Sequence, residues 1–190
     1  MPCLLLNFAD EKMTMRKISF TKRFLLAVML CLPVWLMAQN KMSIDIASVT
    51  NYHTSMNGLN LSGFYHFSER FTGGIEMNRF FPVNRNVSGE DVQQSAWDFD
   101  LNFHYLIPIA KEWHIYPVTG ISHTSEKELN LKTRETVSEK FWSYNTGAGI
   151  LWELGKWSPH IEYSFSWGYT NQRFLIAGLS YELDFGVHKK

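Results

Sequence analysis

Two copies of the tripeptide His-Thr-Ser carry the residues whose types and spacing could support catalysis. His53 lies two residues before Ser55, and His123 lies two residues before Ser125. A histidine beside a serine can accept the hydroxyl proton and so activate the oxygen as a nucleophile. Residues two apart on an extended strand, however, share a face whatever their role. The spacing therefore makes these four residues candidates without identifying a catalytic site.

Two further motifs could bind a metal or a cofactor. Asp98 and Asp100, in the segment DFDLN, have the spacing found at the start of a calcium-binding loop. The glycine and the later bidentate glutamate of such a loop are missing. The segment GAGILW lacks the third glycine of a dinucleotide-binding motif and lies in no strand–helix unit. The sequence therefore predicts neither a metal site nor a cofactor.

The segment WSPHIEYSFSW, residues 157–167, indicates which element positions the candidate residues. Apolar and aromatic residues occupy its odd positions, and serine, histidine and glutamate occupy its even positions. Such alternation predicts a β-strand with one apolar and one polar face. The same pattern predicts seven more strands, three of them clear (97–107, 142–154 and 175–185) and four weaker (42–50, 59–67, 71–81 and 113–123).

Short and long connections alternate between these strands. The short ones are 68–70, 109–111 and 155–156, which are typical of tight hairpins. The longer, more polar ones are 52–57, 82–94, 125–138 and 168–172. This order predicts an antiparallel up-and-down meander with its short turns at one end and its long loops at the other.

Aromatic residues lie at the ends of the apolar strand faces, and this placement distinguishes between a soluble barrel, a β-sandwich and a membrane barrel. A lipid-facing band is bordered by tryptophan and tyrosine at both interfaces, whereas a buried core has no such requirement. A strand crosses the hydrocarbon in about 9–11 residues, which is the span of residues 157–167. We therefore predict an all-β, eight-stranded transmembrane barrel, closed between its first and last strands. The predicted girdle is Trp97, Tyr105, Trp113, Trp142, Trp152, Trp157 and Trp167.

The N-terminal segment has the pattern of a secretory signal peptide. Basic residues at 16–23 precede an apolar run at 24–37 that is too short to span a bilayer. We expect cleavage near Ala38, which divides the chain into a signal peptide (1–38) and a barrel (39–190), and a translation start at Met13 or Met15. Both cysteines, Cys3 and Cys31, precede the expected cut. An even number of strands would return both barrel termini to the periplasm.

The barrel segment resembles the small eight-stranded outer-membrane β-barrels of Gram-negative bacteria, of the OmpA-barrel and OmpX-like type. The most specific motif is the final strand, where Gly178, Tyr181, Leu183 and Phe185 match the order of an assembly signal. This resemblance implies an outer-membrane location among lipid and lipopolysaccharide, and recognition by the barrel-assembly machinery. The family usually ends at the terminal aromatic residue, whereas here five residues, 186–190, follow it.

The polar strand faces are expected to line a narrow interior that side chains fill. Phe64, Leu106, Leu151 and Ile176 share the inward parity and would help to close it. The acids have no lysine or arginine of the same parity in their own strands, so they form either a solvated hydrogen-bond network or a cation or proton path. The predicted interior polar residues are Glu76, Asp98, Asp100, His104, His160, Glu162 and Glu182.

The function predicted from these features is structural or surface-interacting, without catalysis. The loops 82–94 and 125–138 mix charged and polar residues and are the expected contacts for an extracellular ligand or protein. A formal net charge of zero gives no electrostatic basis for binding nucleic acid. The alternatives are a narrow channel and an enzyme resembling the outer-membrane lipid A deacylases, whose His-x-Ser pair is imitated here without the rest of their motif.

Overall fold

The structure, a computed structural model, describes residues 41–87 and 89–185. The expected signal peptide (1–38), the cleavage near Ala38, the start at Met13 or Met15 and the C-terminal residues 186–190 lie outside the described residues. Within the described part of the chain, there is no helix long and apolar enough to cross a membrane.

Antiparallel strands account for most of the described chain. A break at Leu106 separates β5 from β4, and these two strands form one interrupted span, so the strands make eight spans. The predicted eight-stranded antiparallel barrel is confirmed. The strands are β1 (Lys41–Asn51), β2 (Met56–His66), β3 (Phe71–Val87), β4 (Glu90–Tyr105), β5 (Ile107–Pro108), β6 (Trp113–Asn130), β7 (Thr136–Trp152), β8 (Trp157–Gly168) and β9 (Gln172–Asp184).

The first and last strands close the barrel, as the sequence predicted. β1 pairs with β9 from Lys41 opposite Asp184 to Asn51 opposite Phe174. Gly178 allows a close approach at this seam, because a Cβ atom there would lie 2.4 Å from the Cβ of Ala47. Closure gives the strands paired neighbours on both sides, and so satisfies backbone groups that lipid cannot hydrogen-bond.

The side chains have the inverse distribution of a soluble protein. On β1, Ile44 and Ile46 point outward and are exposed, whereas Asp45 and Ala47 between and beyond them point inward and are buried. The other strands continue this alternation around the wall. The apolar parity of the sequence therefore forms the outer surface, and the polar parity forms the interior.

The two ends of the barrel differ in the length of strand that extends beyond the wall. We call the end where β1 begins and β9 ends the Lys41 end, and the opposite end the hairpin end. Short turns at 67–70, 109–112 and 153–156 join strands at the Lys41 end. At the hairpin end, β3 continues to Val87, and β6 continues to Asn130.

The segments 82–94 and 125–138 are mainly strand, and the prediction that they are loops was wrong. Val83 pairs with Gln94 in one hairpin, beyond a register shift after Phe80, and Lys127 pairs with Ser138 in the other. The strands β4 and β6 also pair with each other from Val92 to His104. Residues 83–87, 90–96, 126–130 and 136–139 therefore form one four-stranded extension, which we call the projecting sheet.

Candidate functional site

A polar cavity occupies the barrel interior on the side of the Lys41 end. It has a volume of about 80 Å³, where one water needs roughly 10–15 Å³, so it has room for several waters. Glu76 and Glu162 lie on its wall near mid-barrel, and the half-buried Glu182 lies towards the Lys41 end. The four predicted apolar plugs, Phe64, Leu106, Leu151 and Ile176, also line it.

Asparagine side chains hold Glu76 at the centre of the interior. The carboxylate accepts a hydrogen bond from Asn102 Nδ2 at 2.7 Å and another from Asn60 Nδ2 at 3.2 Å. Asn145 Nδ2 donates in turn to Asn102 Oδ1 at 3.2 Å. These residues come from β2, β3, β4 and β7, so the network ties together strands on different sides of the wall.

Several buried polar atoms nevertheless have no hydrogen-bond partner among the described residues. They include Asp45 Oδ2, Asp98 Oδ1, Asp100 Oδ1 and His104 Nε2. Asp45 Oδ2 lies 3.4 Å from His160 Nδ1, close enough for an ion pair when the histidine is protonated. Unpaired buried polar atoms cost free energy unless water, a proton or a cation satisfies them. Water or bound protons can satisfy these atoms, and no group of three or more His, Cys, Asp or Glu residues that could hold a metal ion occurs in the described part of the chain.

An apolar layer lies between the carboxylates and the hairpin end. Its core is Val49, Met56, Phe80, Ala96 and Phe174, each at most 8% exposed. The space between this layer and Glu76 is only about 10 Å³, enough for roughly one water. The described side chains thus interrupt the polar interior at this depth.

Polar side chains cover the apolar layer at the hairpin end. Asn51 Nδ2 donates to Gln172 Oε1 at 2.9 Å, and Gln172 Nε2 donates to Glu126 Oε1 at 2.9 Å. This chain of hydrogen bonds links β1, β9 and β6 across the mouth. Burial raises the pKa of the Glu126 carboxyl, and the hydrogen bond from Gln172 partly opposes that rise.

The structure places the predicted interior acids on the inner wall at different depths. Glu76, Asp98 and Glu162 are buried, and Asp100, His104 and His160 are partly buried. Glu182 lies near the Lys41 end and pairs with Lys41 Nζ at 2.9 Å. Lys41 lies on the neighbouring strand β1. The sequence analysis considered only lysine and arginine residues within each acid's own strand, and it therefore missed this partner.

The predicted girdle residues lie on the outer face in two groups. Trp97, Trp142 and Trp167 lie towards the hairpin end, and the other four lie towards the Lys41 end. The rings of Trp113 and Trp152 stack with centroids 5.3 Å apart. Arg79 also lies on the outer face, with its guanidinium 4.6 Å from the centroid of Trp97.

The two His-Thr-Ser segments lie in different environments. His53 and Ser55 are exposed in the turn between β1 and β2, where Ser55 has a φ of 48°. His123 and Ser125 lie on the outer face of β6, and the ring of His123 is 4.8 Å from that of Trp142. Among the described residues, no hydrogen bond joins the histidine to the serine in either segment.

A family model described as outer membrane protein beta-barrel domain matches residues 24–186. The chain belongs to this family. Membership of this family explains why apolar side chains face outward and polar side chains face the interior. It also places the protein in the outer membrane as a multi-pass barrel.

Solved structures share the fold of this outer membrane protein β-barrel domain at low identity. The N-terminal β-barrel domain of Pseudomonas aeruginosa OprF has a TM-score of 0.63 at 12% identity and covers 77% of this chain and 100% of that one. A major outer membrane protein from Thermus thermophilus has a TM-score of 0.56 at 10% identity, with coverages of 75% and 98%. Ail of Yersinia pestis, in complex with the heparin analogue sucrose octasulfate, has a TM-score of 0.54 at 16% identity, with coverages of 75% and 98%. A comparison with curated proteins found no match.

Sequence reasoning missed some residues of the interior of this outer membrane protein β-barrel domain. Asp45 lines the cavity and is buried, although its alternation with Ile44 and Ile46 could have identified it. The role of Asn102 as the donor to Glu76 had no sequence signal, because it depends on the pairing of β3 with β4.

Proposed function

We propose that this barrel is a non-catalytic surface-interaction protein of the outer membrane, with both termini in the periplasm. The observation that carries the proposal is the projecting sheet. The described part of β3 beyond Phe80 pairs only with β4, and the described part of β7 before Ser143 pairs only with β6. The sheet thus has two edges whose backbone groups are free to pair with another chain.

The two edges differ in their suitability for such pairing. Pro82 lies at the start of the β3 edge, where its missing N–H weakens pairing. The β7 edge carries Val137, which is 60% exposed, and has no proline from 136 to 139. The β7 edge is therefore the proposed contact for an extracellular protein. Ail, which shares the fold, was solved with a bound heparin analogue, which supports an interacting role for barrels of this architecture.

The packing of side chains in the interior favours a closed barrel over the alternative of a narrow channel. The apolar layer around Phe80 and Phe174 leaves room for about one water beside the carboxylates. The location of His123 beside Trp142 on the lipid-facing surface, unlinked to Ser125, supports the absence of catalysis. The segment from Gly178 to Phe185 remains a predicted assembly signal for the barrel-assembly machinery.

Site-specific cysteine labelling tests the orientation. Lys132→Cys, in the turn between β6 and β7, should react with a membrane-impermeant maleimide on intact cells. Lys156→Cys, in the turn between β7 and β8, should react only after the outer membrane is permeabilised. The reverse pattern would place the projecting sheet in the periplasm and overturn the proposal.

Photo-crosslinking tests the interaction surface. A photoreactive phenylalanine analogue at Val137 should form crosslinks to protein in living cells, since this position lies on the proposed edge. The matched control is the same analogue at Ile161, which is 54% exposed on the membrane-facing wall and should crosslink to lipid only. Equal protein crosslinking at both positions, or none at Val137, would contradict the proposed role of the β7 edge.

A further inference from the structure

Strand pairing aligns outward-facing residues of β2, β3, β4, β6 and β7 into three successive rows. The residues of each row lie opposite one another across neighbouring strands. Successive rows are two residues apart along each strand, or about 6.6 Å. The first apolar row consists of Gly63, Ile75, Leu101, Ile121 and Tyr144. The second apolar row consists of Leu61, Met77, Phe99, His123 and Trp142. The third row, which we call the cationic row, consists of Leu59, Arg79, Trp97, Ser125 and Lys140.

The first two rows border a groove of about 680 Å³ on the outer wall. Its lining is almost wholly apolar on the outward face, with His123 and Trp142 at the side next to the cationic row. Gly63 keeps the groove deep, because a Cβ atom there would meet no heavy atom within 4 Å. A groove of this size falls in the range of roughly 300–1,000 Å³ that is typical of small-molecule sites.

The cationic row lies directly beyond this groove, towards the hairpin end. The guanidinium of Arg79 lies over Trp97, and its Nη1 donates to the carbonyl of Ala96 at 3.4 Å. Lys140 is exposed at the other end of the row, three strand spacings or about 14 Å from Arg79. The hydroxyl of Ser125 lies between Trp97 and Lys140 in the row.

These two cations have no counter-ion among the residues that the structure describes. Within the described chain, no carboxylate lies within ion-pair distance of Arg79 or Lys140. On β2, β3, β4, β6 and β7, the described outward-facing positions from the second apolar row to the Lys41 end carry no Lys, Arg, Asp or Glu. A cation on a lipid-facing wall is costly at mid-membrane and favourable beside anionic head groups. The charge of the row is thus complementary to an anionic group at the edge of the membrane.

We propose that the groove and the cationic row together bind one anionic phosphorylated lipid of the surrounding leaflet. An acyl chain lies in the groove over Gly63, and the phosphate lies between Arg79 and Lys140. The planar guanidinium suits bidentate recognition of phosphate, and the lysine adds a second charge. A soluble phosphate would use only the cationic row, whereas the adjacent apolar groove matches the hydrocarbon part of a lipid.

Native mass spectrometry of the folded barrel in a maltoside detergent tests the site. The barrel is incubated with phosphatidylglycerol or with an uncharged digalactosyl lipid that has the same acyl chains. The wild type should retain one phosphatidylglycerol and about tenfold less of the uncharged lipid, since loss of charge-assisted hydrogen bonds has effects of this order. The double variant Arg79→Gln with Lys140→Gln should bind phosphatidylglycerol about tenfold less than the wild type.

Two further variants separate the parts of the proposal. Arg173→Gln removes an outward-facing cation of β9 that lies outside the cationic row, and it should retain phosphatidylglycerol like the wild type. Gly63→Leu fills the groove without changing any charge, and it should weaken the binding of both lipids. Each variant is first checked for folding by its heat-modifiable mobility on a denaturing gel, and Arg79→Lys replaces Arg79→Gln if the latter does not fold.

Three outcomes would overturn the lipid site. The first is unchanged retention in the double variant, and the second is an equal loss in Arg173→Gln, which would indicate attraction by net charge alone. The third is complete displacement by millimolar inorganic phosphate together with normal binding in Gly63→Leu, which would identify a site for free phosphate instead.

Discussion

Phe80 of β3 and Phe174 of β9 pack against each other across the barrel lumen, with ring centroids 5.9 Å apart. Strands β2 and β1 separate their strands in the sheet, so this contact spans the interior. Phe80 is fully buried, and Phe174 is 8% exposed. The pair forms the centre of the apolar layer that interrupts the polar interior.

Removing this pair should open the lumen. The double variant Phe80→Ala with Phe174→Ala should raise single-channel conductance in planar bilayers, because it replaces two rings with space that water can fill. Phe80→Ala alone should lower the free energy of unfolding in urea by about 3–5 kcal/mol. Phe99→Ala, which removes an exposed ring from the outer wall, is the matched control and should stay non-conducting. If the double variant folds and conducts no more than the wild type, other side chains close the barrel.

The hydrogen bonds to Glu76 should contribute measurably to stability. Glu76→Ala leaves Asn102 Nδ2 without its acceptor, and a buried donor left in this state costs about 1–3 kcal/mol. Glu76→Gln keeps an acceptor oxygen and should cost less. Urea unfolding of the two variants measures the difference, with the exposed Glu135→Ala as control. Equal losses for alanine and glutamine at position 76 would show that the hydrogen bonds are not the source of the stability.

Glu126 should make stability depend on pH. Its folded pKa is raised, mainly by burial, so the folded state binds a proton more tightly than the unfolded state does. Stability therefore falls as pH rises from the unfolded pKa of about 4.3 to the raised folded pKa. Glu126→Gln should remove this fall, as measured by urea midpoints at several pH values across that window.

A second variant tests the cause of the Glu126 effect. Gln172→Leu removes the hydrogen bond that favours the charged carboxylate, so its midpoint should fall more steeply with pH than that of the wild type. An identical pH dependence in the wild type and Glu126→Gln would mean that this carboxyl does not contribute.

Expression of the protein should leave the acylation of lipid A unchanged. His123 and Ser125 face the membrane without a hydrogen bond between them, and His53 and Ser55 lie in an exposed turn. Mass spectra of lipid A from cells with and without the protein should therefore agree. Loss of an acyl chain that is restored by Ser125→Ala or Ser55→Ala would instead demonstrate a deacylase.

The wall of the barrel could be predicted from sequence because its two faces contact different surroundings. The alternation of apolar and polar residues from Trp157 to Trp167 indicates lipid on one side of the strand and a polar interior on the other. The projecting sheet was missed because polar residues occupy most of its positions, such as the paired Asn84 and Gln93, so no alternation of apolar and polar residues marks its strands.

The inward direction of the acids also followed from the sequence, since parity alone places Glu76 and Glu162 on the inner wall. Which atoms meet there did not follow. The contact of Phe80 with Phe174 and the alignment of Arg79 with Lys140 join residues that are far apart in the chain. Such contacts depend on the register of several strand pairs and on the closure of β1 with β9, which are set by hydrogen bonding across the whole barrel. The sequence by itself therefore determined the faces of the strands, and only the tertiary structure decided which residues share a level around the barrel, because register is a property of strand pairs and not of any single strand.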